Sequence, residues 1–467
     1  MTDMGSARRA STHPQASGQG SRVFVYFVAA VAAMSGLLFG FDIAVINGAI
    51  VFLKQEWGLS PEQTELAASS LLVGCIVGAA AGGWLSDMWG RRRALLLSAF
   101  LFAVSSLGAA LPHSLPQFAA ARLLGGVAIG VASLLAPLYI AEISPARIRG
   151  KLVGLNQMAI VSGILLSYLA NWGLAHLGAG SWRWMFAVAA IPSLVLLIAL
   201  FFVPESPRWL MEKRREKEAY ATLERATGPQ EAGAAIDALR ESIQAESGTL
   251  SELFQPGVRR ALFVAVVLAI MQQWTGINTV LFYGSVILND QVGGQSATSA
   301  IGANVLIGVI NFITTIVALS LIDVAGRKPL LIFSSAAMAV GQIGLALCFR
   351  MAHPPSWLVV SIMLFCVAAF EIGLGPGVWV LLSEIFPTKI RGRAMSVATV
   401  ALWVACTVLT LTFLTLSNLL GPTGAFSIYA GMCVFTAIFV AVAVPETKGR
   451  TLEEMEQLWI ARSAKRR

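Results

Sequence analysis

The sequence predicts an all-α membrane protein with twelve transmembrane helices, arranged as two six-helix halves that are joined by a helical linker. Of the 467 residues, 57% are hydrophobic and only 12% are charged. A water-soluble protein of this length needs far more charged surface. A helix that crosses a bilayer needs about 20 mostly apolar residues, and twelve stretches of this kind follow one another along the chain. The composition therefore places the chain in a membrane.

The order of apolar and polar stretches divides the chain into five parts. The apolar stretches cover residues 24–46, 66–86, 94–112, 118–140, 152–174, 184–203, 260–287, 298–322, 330–349, 357–382, 394–418 and 424–444. The parts are a disordered polar tail (1–22), an N-terminal half (23–205), a linker (206–258), a C-terminal half (259–446) and a second tail (447–467). The linker contains Glu–Lys and Glu–Arg pairs at helical spacing. It is either a solvated connector or a brace for a gate.

The basic residues predict the orientation. If both termini are cytoplasmic, all but four of the 33 lysines and arginines lie on the cytoplasmic face. Such an excess is the positive-inside rule, so the net charge of +8 reflects membrane topology rather than nucleic-acid binding. The four exceptions lie in or beyond the membrane, and they are Lys54, Arg122, Arg183 and Arg350.

The cysteines and histidines predict no metal site, no cofactor and no disulfide framework. All five cysteines lie within predicted helices, and the four histidines are scattered over the tail and the loops. An odd and dispersed set of cysteines is not a disulfide scaffold, and neither residue type shows the spacing of metal ligands. We therefore expect a protein that is not an enzyme.

Three loop motifs occur twice in the same order. GGWLSDMWGRRR, around Asp87, returns as LSLIDVAGRKP around Asp323. YIAEISPARIRGK, around Glu142, returns as LLSEIFPTKIRGR around Glu384, and VPESPRW returns as VPETKGR. A repeat of helices together with loops predicts two halves related by an axis along the membrane normal, with a substrate site near the midplane between them.

These paired motifs resemble the sugar porter family of the major facilitator superfamily, and within it the bacterial sugar–proton symporters. The resemblance covers nearly the whole chain and implies the major facilitator fold. It also implies a transporter of the plasma (inner) membrane with both termini in the cytoplasm, whose partners are a sugar, protons and the lipid bilayer. One chain holds both halves, so we expect a functional monomer. We expect no nucleic-acid partner.

The charged residues of the repeated loops can form ion pairs within each half. Pairs that exist in only one packing of an interface offer a bistable latch, and the resemblance implies that they lock the outward-facing state. The positive-inside rule alone would explain the arginines but not the partnered acids. The residues of this predicted gating network are Asp87, Arg91, Arg92, Glu142, Arg149, Asp323, Arg327, Glu384 and Arg391.

Asp42 lies in the middle of an apolar run from Val23 to Leu53. An ionisable group at this depth costs roughly 2.5–3.5 kcal/mol on insertion scales, so a functional role is the default. The alternative is an acid that reaches the interface from a helix end. Arg122 is the other deep charge of this half, and pairing with it favours charged Asp42, whereas burial without the pair favours the neutral acid. The resemblance implies proton coupling by Asp42, because the facilitators carry Asn there.

Neutral amides and aromatic residues are the candidates for sugar binding. Amides both donate and accept hydrogen bonds, which suits sugar hydroxyls, and an indole offers a flat face and an N–H donor. The alternatives are hydrogen bonds between helices for the amides and ordinary packing for the aromatics. By resemblance to the family, the candidates are Phe39, Gln157, Gln272, Gln273, Asn278, Asn311, Phe370, Glu371, Trp379 and Trp403.

Three features leave details open. Gly373, Gly375, Pro376 and Gly377 predict a break in the tenth helix, a candidate hinge. Glu371 next to it can contact sugar, stabilise the break or share in proton handling. Leu402 and Cys406 stand where better-known family members carry amides, which leaves the choice among xylose, glucose, galactose, arabinose and inositol open.

The sequence therefore predicts a proton-coupled monosaccharide importer that works by alternating access. One alternative is a passive facilitator in which Asp42 and Arg122 form only a structural ion pair. A second alternative is a sugar sensor built on a transporter scaffold. Long cytoplasmic tails would support a sensor, whereas both predicted tails of this chain are short. A drug exporter would leave the repeated motifs unexplained.

Overall fold

The computed structural model describes residues 20–145, 147–245, 250–291, 297–351, 353–386, 390–449, 454–455 and 457–459. Most of the two predicted tails, 1–22 and 447–467, lies outside these residues. The described part is built from α-helices joined by short connections.

The seventeen α-helices of the described residues follow the predicted apolar stretches closely. They are α1 (Arg22–Trp57), α2 (Pro61–Trp89), α3 (Arg91–Ala110), α4 (Leu115–Ile143), α5 (Arg149–Leu174), α6 (Ser181–Ala187), α7 (Ala190–Ala199), α8 (Pro207–Glu212), α9 (Glu216–Thr227), α10 (Pro229–Ala245), α11 (Pro256–Trp274), α12 (Ile277–Val286), α13 (Ala297–Ala325), α14 (Arg327–Cys348), α15 (Ser356–Ile372), α16 (Leu374–Glu384) and α17 (Arg391–Ala443).

Within the described ranges, eleven helical segments are long and apolar enough to cross a membrane. Three of them combine two helices each, namely α6 with α7, α11 with α12 and α15 with α16. The last segment, α17, has 53 residues and would be about 80 Å long if straight. Its backbone leaves the helical region at Gly421, where φ is 71° and ψ is 162°. α17 therefore supplies two crossings, and the prediction of twelve transmembrane helices is confirmed.

The linker helices α8–α10 lie at one end of the bundle, here called the linker end. The indole N–H of Trp209 on α8 donates to the carbonyl oxygen of Asp87 at the end of α2 (3.1 Å). The backbone N–H of Ser21, before α1, donates to the carbonyl oxygen of Arg225 on α9 (2.9 Å). The opposite end of the bundle is called the far end. The predicted helical linker is thus packed against the first half rather than extended.

Much of the lateral surface of the bundle is apolar. Val340 and Phe100, each in the middle of its helix, are 64% and 53% exposed, respectively. Exposed side chains of this size are expected where lipid rather than water surrounds the protein. Inside the bundle, helices approach closely enough that a Cβ atom on Gly126 of α4 would lie 1.8 Å from the carbonyl oxygen of Leu71 on α2. Such small residues at helix contacts are typical of membrane bundles.

Candidate functional site

The deepest ion pair of the described residues joins Asp42 on α1 to Arg122 on α4. Nη1 of Arg122 lies 2.5 Å from Oδ1 of Asp42, and Nη2 donates to the main-chain carbonyl oxygen of the same residue at 2.8 Å. The two residues are 3% and 0% exposed. The guanidinium carbon of Arg122 also lies 5.1 Å from the ring centroid of Phe186, a cation–π distance. The structure thus brings the two predicted deep charges together.

The second carboxylate oxygen of Asp42 lies in a small polar region. Neither Asp42 Oδ2 nor the hydroxyl of Ser105 has a hydrogen-bond partner among the described residues. Both lie next to Gly125, where a Cβ atom would be 2.9 Å from Asp42 Oδ2 and 2.4 Å from Ser105 Oγ. A buried polar atom normally finds a partner, so Oδ2 of Asp42 and the hydroxyl of Ser105 are exceptions among the described residues, while Oδ1 faces Arg122.

Three predicted amides form a continuous chain in the second half. Nε2 of Gln273 donates to Oε1 of Gln272 (3.1 Å), and Nδ2 of Asn278 donates to Oε1 of Gln273 (2.6 Å). The same Nδ2 lies 3.4 Å from the sulfur of Cys406 on α17. All four side chains are buried. The thiol of Cys406 therefore borders the amide chain, at a position where, by resemblance, other family members carry an amide.

The predicted break in the tenth transmembrane helix separates α15 from α16 at Gly373, where φ is −139° and ψ is −60°. Ser334 of α14 bridges the break, because its hydroxyl donates to the carbonyl oxygen of Ala369 (2.6 Å) and accepts the N–H of Leu374 (3.1 Å). Gln272 donates to the carbonyl oxygen of Leu374 (2.7 Å). In this structure the amide of Gln272 therefore satisfies main-chain groups at the break.

Glu371 is bonded to α13 on the other side of the same break. Its carboxylate accepts one hydrogen bond from Nδ2 of Asn311 and one from the hydroxyl of Thr315, each 3.1 Å long. Glu371 is 5% exposed, and Asn311 is fully buried. Two predicted sugar-binding residues are thus partners of each other, and their bonds join α13 to the break.

The predicted aromatic residues, together with Leu402 and Gln157, differ in burial and in contacts. Phe39 and Trp403 face each other across the two halves, with ring centroids 5.7 Å apart. The indole N–H of Trp403 is buried and has no hydrogen-bond partner within the described ranges. Phe370 and Leu402 are buried. Two more predicted site residues, Trp379 and Gln157, are half-buried. Neither side chain forms a hydrogen bond to another described residue.

The first copy of the loop motifs forms an ion-pair network at the linker end. Arg91 at the start of α3 donates two parallel hydrogen bonds to Glu142 on α4, from Nε and Nη2, each 3.0 Å long. The hydroxyl of Ser206 donates to the same carboxylate. Arg91 also lies 3.7 Å from Asp87, whose side chain is 76% exposed. Bidentate Arg–carboxylate geometry is among the strongest charged pairings, so this contact fixes α3 to α4.

The second copy repeats this network bond for bond. Arg327 donates to Glu384 through Nε (3.1 Å) and Nη2 (2.8 Å), and the hydroxyl of Thr447 donates to Glu384 at 2.6 Å. Asp323 lies 3.1 Å from Arg327 and is 79% exposed. The sequence repeat is therefore also a repeat of side-chain geometry, and each ion pair described here stays within its own half.

Two further glutamates, which were not among the predicted site residues, complete the networks. Glu205 accepts the backbone N–H of Arg92 (3.0 Å) and caps the start of α3. Glu446 does the same for α14, where it accepts the backbone N–H groups of Arg327 (3.1 Å) and Lys328 (3.0 Å). A carboxylate at a helix N-terminus satisfies N–H groups that lack helical partners. The signal for both was in the sequence, since PES and PET stand at equivalent repeat positions.

The glycine before each of these helices has backbone dihedral angles that residues with a Cβ atom rarely adopt. Gly90 has φ of 95° and Gly326 has φ of 88°. A Cβ atom would lie 2.3 Å from the Glu205 carboxylate in the first case and 2.8 Å from the Glu446 carboxylate in the second. The glycine of the G-R-[RK] motif is therefore required by backbone conformation and by the capping carboxylate together.

The two capping glutamates differ in pKa. Burial raises the pKa of Glu205, against the opposing effect of hydrogen bonds from the N–H groups of Arg92 and Ser206. Burial also acts on Glu446, but the N–H groups of Lys448, Arg327, Lys328 and Thr447 together outweigh it and hold its pKa below the usual value. The pKa of the same motif residue is therefore raised in one half and lowered in the other.

Two residues of the predicted gating network bond to main-chain carbonyl oxygens. Arg92 donates to the carbonyl oxygens of Leu200 and Phe201, each at 2.8 Å, rather than to an acid. Arg149 donates to the carbonyl oxygen of Ser144 at 3.5 Å. Arg391 begins α17. In this structure the side chains of Arg92 and Arg149 therefore bond to carbonyl groups near helix ends, and their part in a gating network stays a prediction.

Asn47 connects the two halves toward the far end, and it is not among the predicted site residues. Its Nδ2 donates to the carbonyl oxygen of Leu281 (2.8 Å), and its Oδ1 accepts from both the N–H (3.0 Å) and the hydroxyl (2.6 Å) of Ser285. The hydroxyl of Tyr168 on α5 also donates to Leu281 (3.1 Å). An asparagine five residues after Asp42 gave a signal, but nothing in the sequence showed that it faces the other half.

The fold and these contacts define a class of protein, the helical membrane transporter with the major facilitator fold. The family described as "Sugar (and other) transporter" matches residues 28–459. The chain belongs to this family, so it is a transporter rather than an enzyme.

Known proteins support this assignment. The D-xylose-proton symporter of Escherichia coli (strain K12) is 39% identical over 93% of this chain and 96% of its own length. The galactose-proton symporter of the same organism is 38% identical over 94% and 95%. Among solved structures, the proton:xylose symporter XylE bound to 6-bromo-6-deoxy-D-glucose matches with a TM-score of 0.81 at 38% identity, covering 94% of this chain and 99% of that one.

Proposed function

We propose that the chain imports a monosaccharide together with a proton by alternating access. The observation that carries this proposal is the buried Asp42–Arg122 pair, in which one carboxylate oxygen faces the guanidinium and the other has no partner among the described residues. A passive sugar pathway has no need of a carboxylate at this depth, where charge is expensive. The names of the xylose and galactose relatives, both symporters, support the same function.

In the proposed cycle, a proton binds the carboxylate of Asp42 and removes its charge. The bond between Arg122 and Oδ1 then weakens, but the bond from Nη2 to the main-chain carbonyl of Asp42 does not depend on that charge. Arg122 therefore stays attached to α1 while the side chain of Asp42 turns away. This change at the contact between α1 and α4 is the proposed link between the proton and closure of the sugar site.

We place the sugar among the amide chain and the aromatic pair. Gln273, Asn278 and Cys406 lie in contact, and Trp274 next to them donates to the carbonyl oxygen of Ala405 at 3.2 Å. Phe39 and Trp403 add a face from each half. A buried indole N–H without a partner in the described residues suits a sugar hydroxyl. Gln272, Asn311 and Glu371 act mainly on the helix break, and through it on the shape of the site.

The distribution of charge supports the orientation. The loops that carry the repeated GRRR and GRKP motifs lie at the linker end, which we assign to the cytoplasm by the positive-inside rule. The far end then faces the outside of the plasma (inner) membrane, and the Asn47 contacts hold it closed in this structure. The halves 23–205 and 259–446 are the moving units, and one chain suffices for function.

A panel of radiolabelled sugars in proteoliposomes tests the proposal, with xylose, glucose, galactose, arabinose and inositol measured with and without an imposed proton gradient. We expect one or two sugars to accumulate above the outside concentration only when the gradient is directed inward. Equilibration that is independent of the gradient would instead favour the passive facilitator. Absence of transport for every sugar would overturn the substrate class.

A further inference from the structure

A buried carboxylate joins the two halves at the far end of the bundle. Glu65 on α2 is 2% exposed. Its Oε1 accepts the backbone N–H of Thr415 on α17 (2.8 Å), and its Oε2 accepts the hydroxyl of the same residue (2.7 Å). The two residues are 350 positions apart in sequence. None of the residues assigned above to proton, sugar or loop network takes part in this contact.

Both partners lie near the ends of their helices. Glu65 follows the start of α2 at Pro61, and Thr415 precedes the kink of α17 at Gly421. Five residues earlier in α17, the carbonyl oxygen of Thr410 accepts a hydrogen bond from the hydroxyl of Tyr283 on α12 (2.7 Å). Main-chain groups of this part of α17 are therefore bonded to α2 of the first half and to α12 of the same half.

We infer that Glu65 is the far-end latch of the transport cycle, which holds α2 against α17 while the pathway is closed to the outside. The contact crosses from one half to the other, so it can exist only when the far end is closed. Opening must break both hydrogen bonds and return the carboxylate to water, and pairs of this kind bias a two-state interface. The Asn47 contacts lie between α1 and α12, so Glu65 fastens a different pair of helices. The inference rests on the proposed alternating access, but not on any particular substrate.

Four variants separate a latch from a general structural role. Glu65→Ala removes both hydrogen bonds. Glu65→Gln keeps both, because its amide oxygen can accept the N–H of Thr415 and its NH₂ can donate to the hydroxyl. Thr415→Val removes only the hydroxyl bond. Glu62→Ala is the matched control, since Glu62 is exposed on the same helix and bonds only to Ser60 of its own half within the described residues (2.7 Å).

The readout is a pair of distance distributions between spin labels, measured without sugar and without a proton gradient. Labels at Leu111→Cys and Met351→Cys report the far end, and labels at Met88→Cys and Val324→Cys report the linker end. All four native residues are exposed. The five native cysteines are buried, and they are replaced by alanine in the labelled background.

For Glu65→Ala we expect at least a threefold larger population of long far-end distances, with a matching gain of short linker-end distances. Thr415→Val should lie between this variant and the unmodified chain, whereas Glu65→Gln and Glu62→Ala should leave both distributions unchanged. An unchanged far-end distribution in Glu65→Ala would overturn the latch. If that variant does not fold, an unchanged distribution in Thr415→Val overturns it. Because no sugar is present, failure of the proposed substrate would leave this result unaffected.

Discussion

Arg122 holds Asp42 by two different groups, its carboxylate and its main-chain carbonyl oxygen. Only the first of these bonds depends on the charge of Asp42. The arrangement therefore separates attachment of α4 to α1 from sensitivity to a proton. In a simple ion pair between two side chains, protonation of the carboxylate would weaken the only bond that attaches the two helices.

The first prediction concerns Asp42→Asn, which keeps the shape of the side chain and removes its charge. We expect the rate of gradient-driven accumulation to fall at least 10-fold, about 1.4 kcal/mol or more in the coupled step, while exchange of labelled for unlabelled sugar stays within a few-fold of normal. Uptake and counterflow in proteoliposomes measure the two rates. Asp237→Asn on the exposed surface of α10 is the control. Accumulation at the normal rate in Asp42→Asn would contradict proton coupling by this residue.

The second prediction concerns the stability of the pair. Arg122→Gln leaves a buried carboxylate without its cation, which typically costs about 3–5 kcal/mol. The double variant Asp42→Asn with Arg122→Gln should regain most of this loss, because no charge then remains unpaired. Thermal unfolding in detergent gives both values. Simple additivity of the two single substitutions would show that the pair is not coupled.

The third prediction concerns the glycines that precede α3 and α14. Gly90→Ala and Gly326→Ala should each destabilise the protein by about 1–3 kcal/mol, the range for a residue forced into a rarely populated backbone conformation. The collision with Glu205 or Glu446 adds to the strain. Gly150→Ala and Gly392→Ala are matched controls from the other repeated motif, since a Cβ atom at either meets nothing within 4 Å. Equal unfolding temperatures in all four variants would exclude the proposed requirement for glycine.

The fourth prediction concerns pH. Because the pKa of Glu446 is lowered in the folded state, its stabilisation is complete above the unfolded-state pKa and is lost as pH falls through the folded value. Glu446→Gln should therefore cost about 1 kcal/mol at pH 7, a value reduced by partial exposure, and less in acid. The raised pKa of Glu205 gives stability the opposite dependence on pH. As pH rises through that pKa, the buried carboxyl group loses its proton and its charge then destabilises the folded state.

Unfolding temperatures of Glu205→Gln, Glu446→Gln and the unmodified chain across acid and neutral pH test these signs. Relative to the unmodified chain, Glu205→Gln should gain stability as pH rises, and Glu446→Gln should lose it. The same slope for both variants would show that the two halves do not differ at this position.

The sequence predicted the helices well because each apolar run had the length that a bilayer demands. It also predicted the break at Gly373, because glycine and proline weaken helical hydrogen bonding there. Contacts between halves were beyond its reach. Asn47 lies inside the first apolar run and Glu65 near the start of α2, and only the packing shows that both face the opposite half. For the same reason the sequence did not show that the side chain of Arg92 bonds to the carbonyl oxygens of Leu200 and Phe201.

The twin networks at the linker end bear on the origin of the chain. Arg91, Glu142 and Ser206 bond to one another, as do Arg327, Glu384 and Thr447, and neither set borrows a residue from the other. A polypeptide of half this length would therefore hold every partner that these loops need. Duplication and fusion of such a half would preserve each set intact, and the repeat is visible in the hydrogen bonds as well as in the sequence.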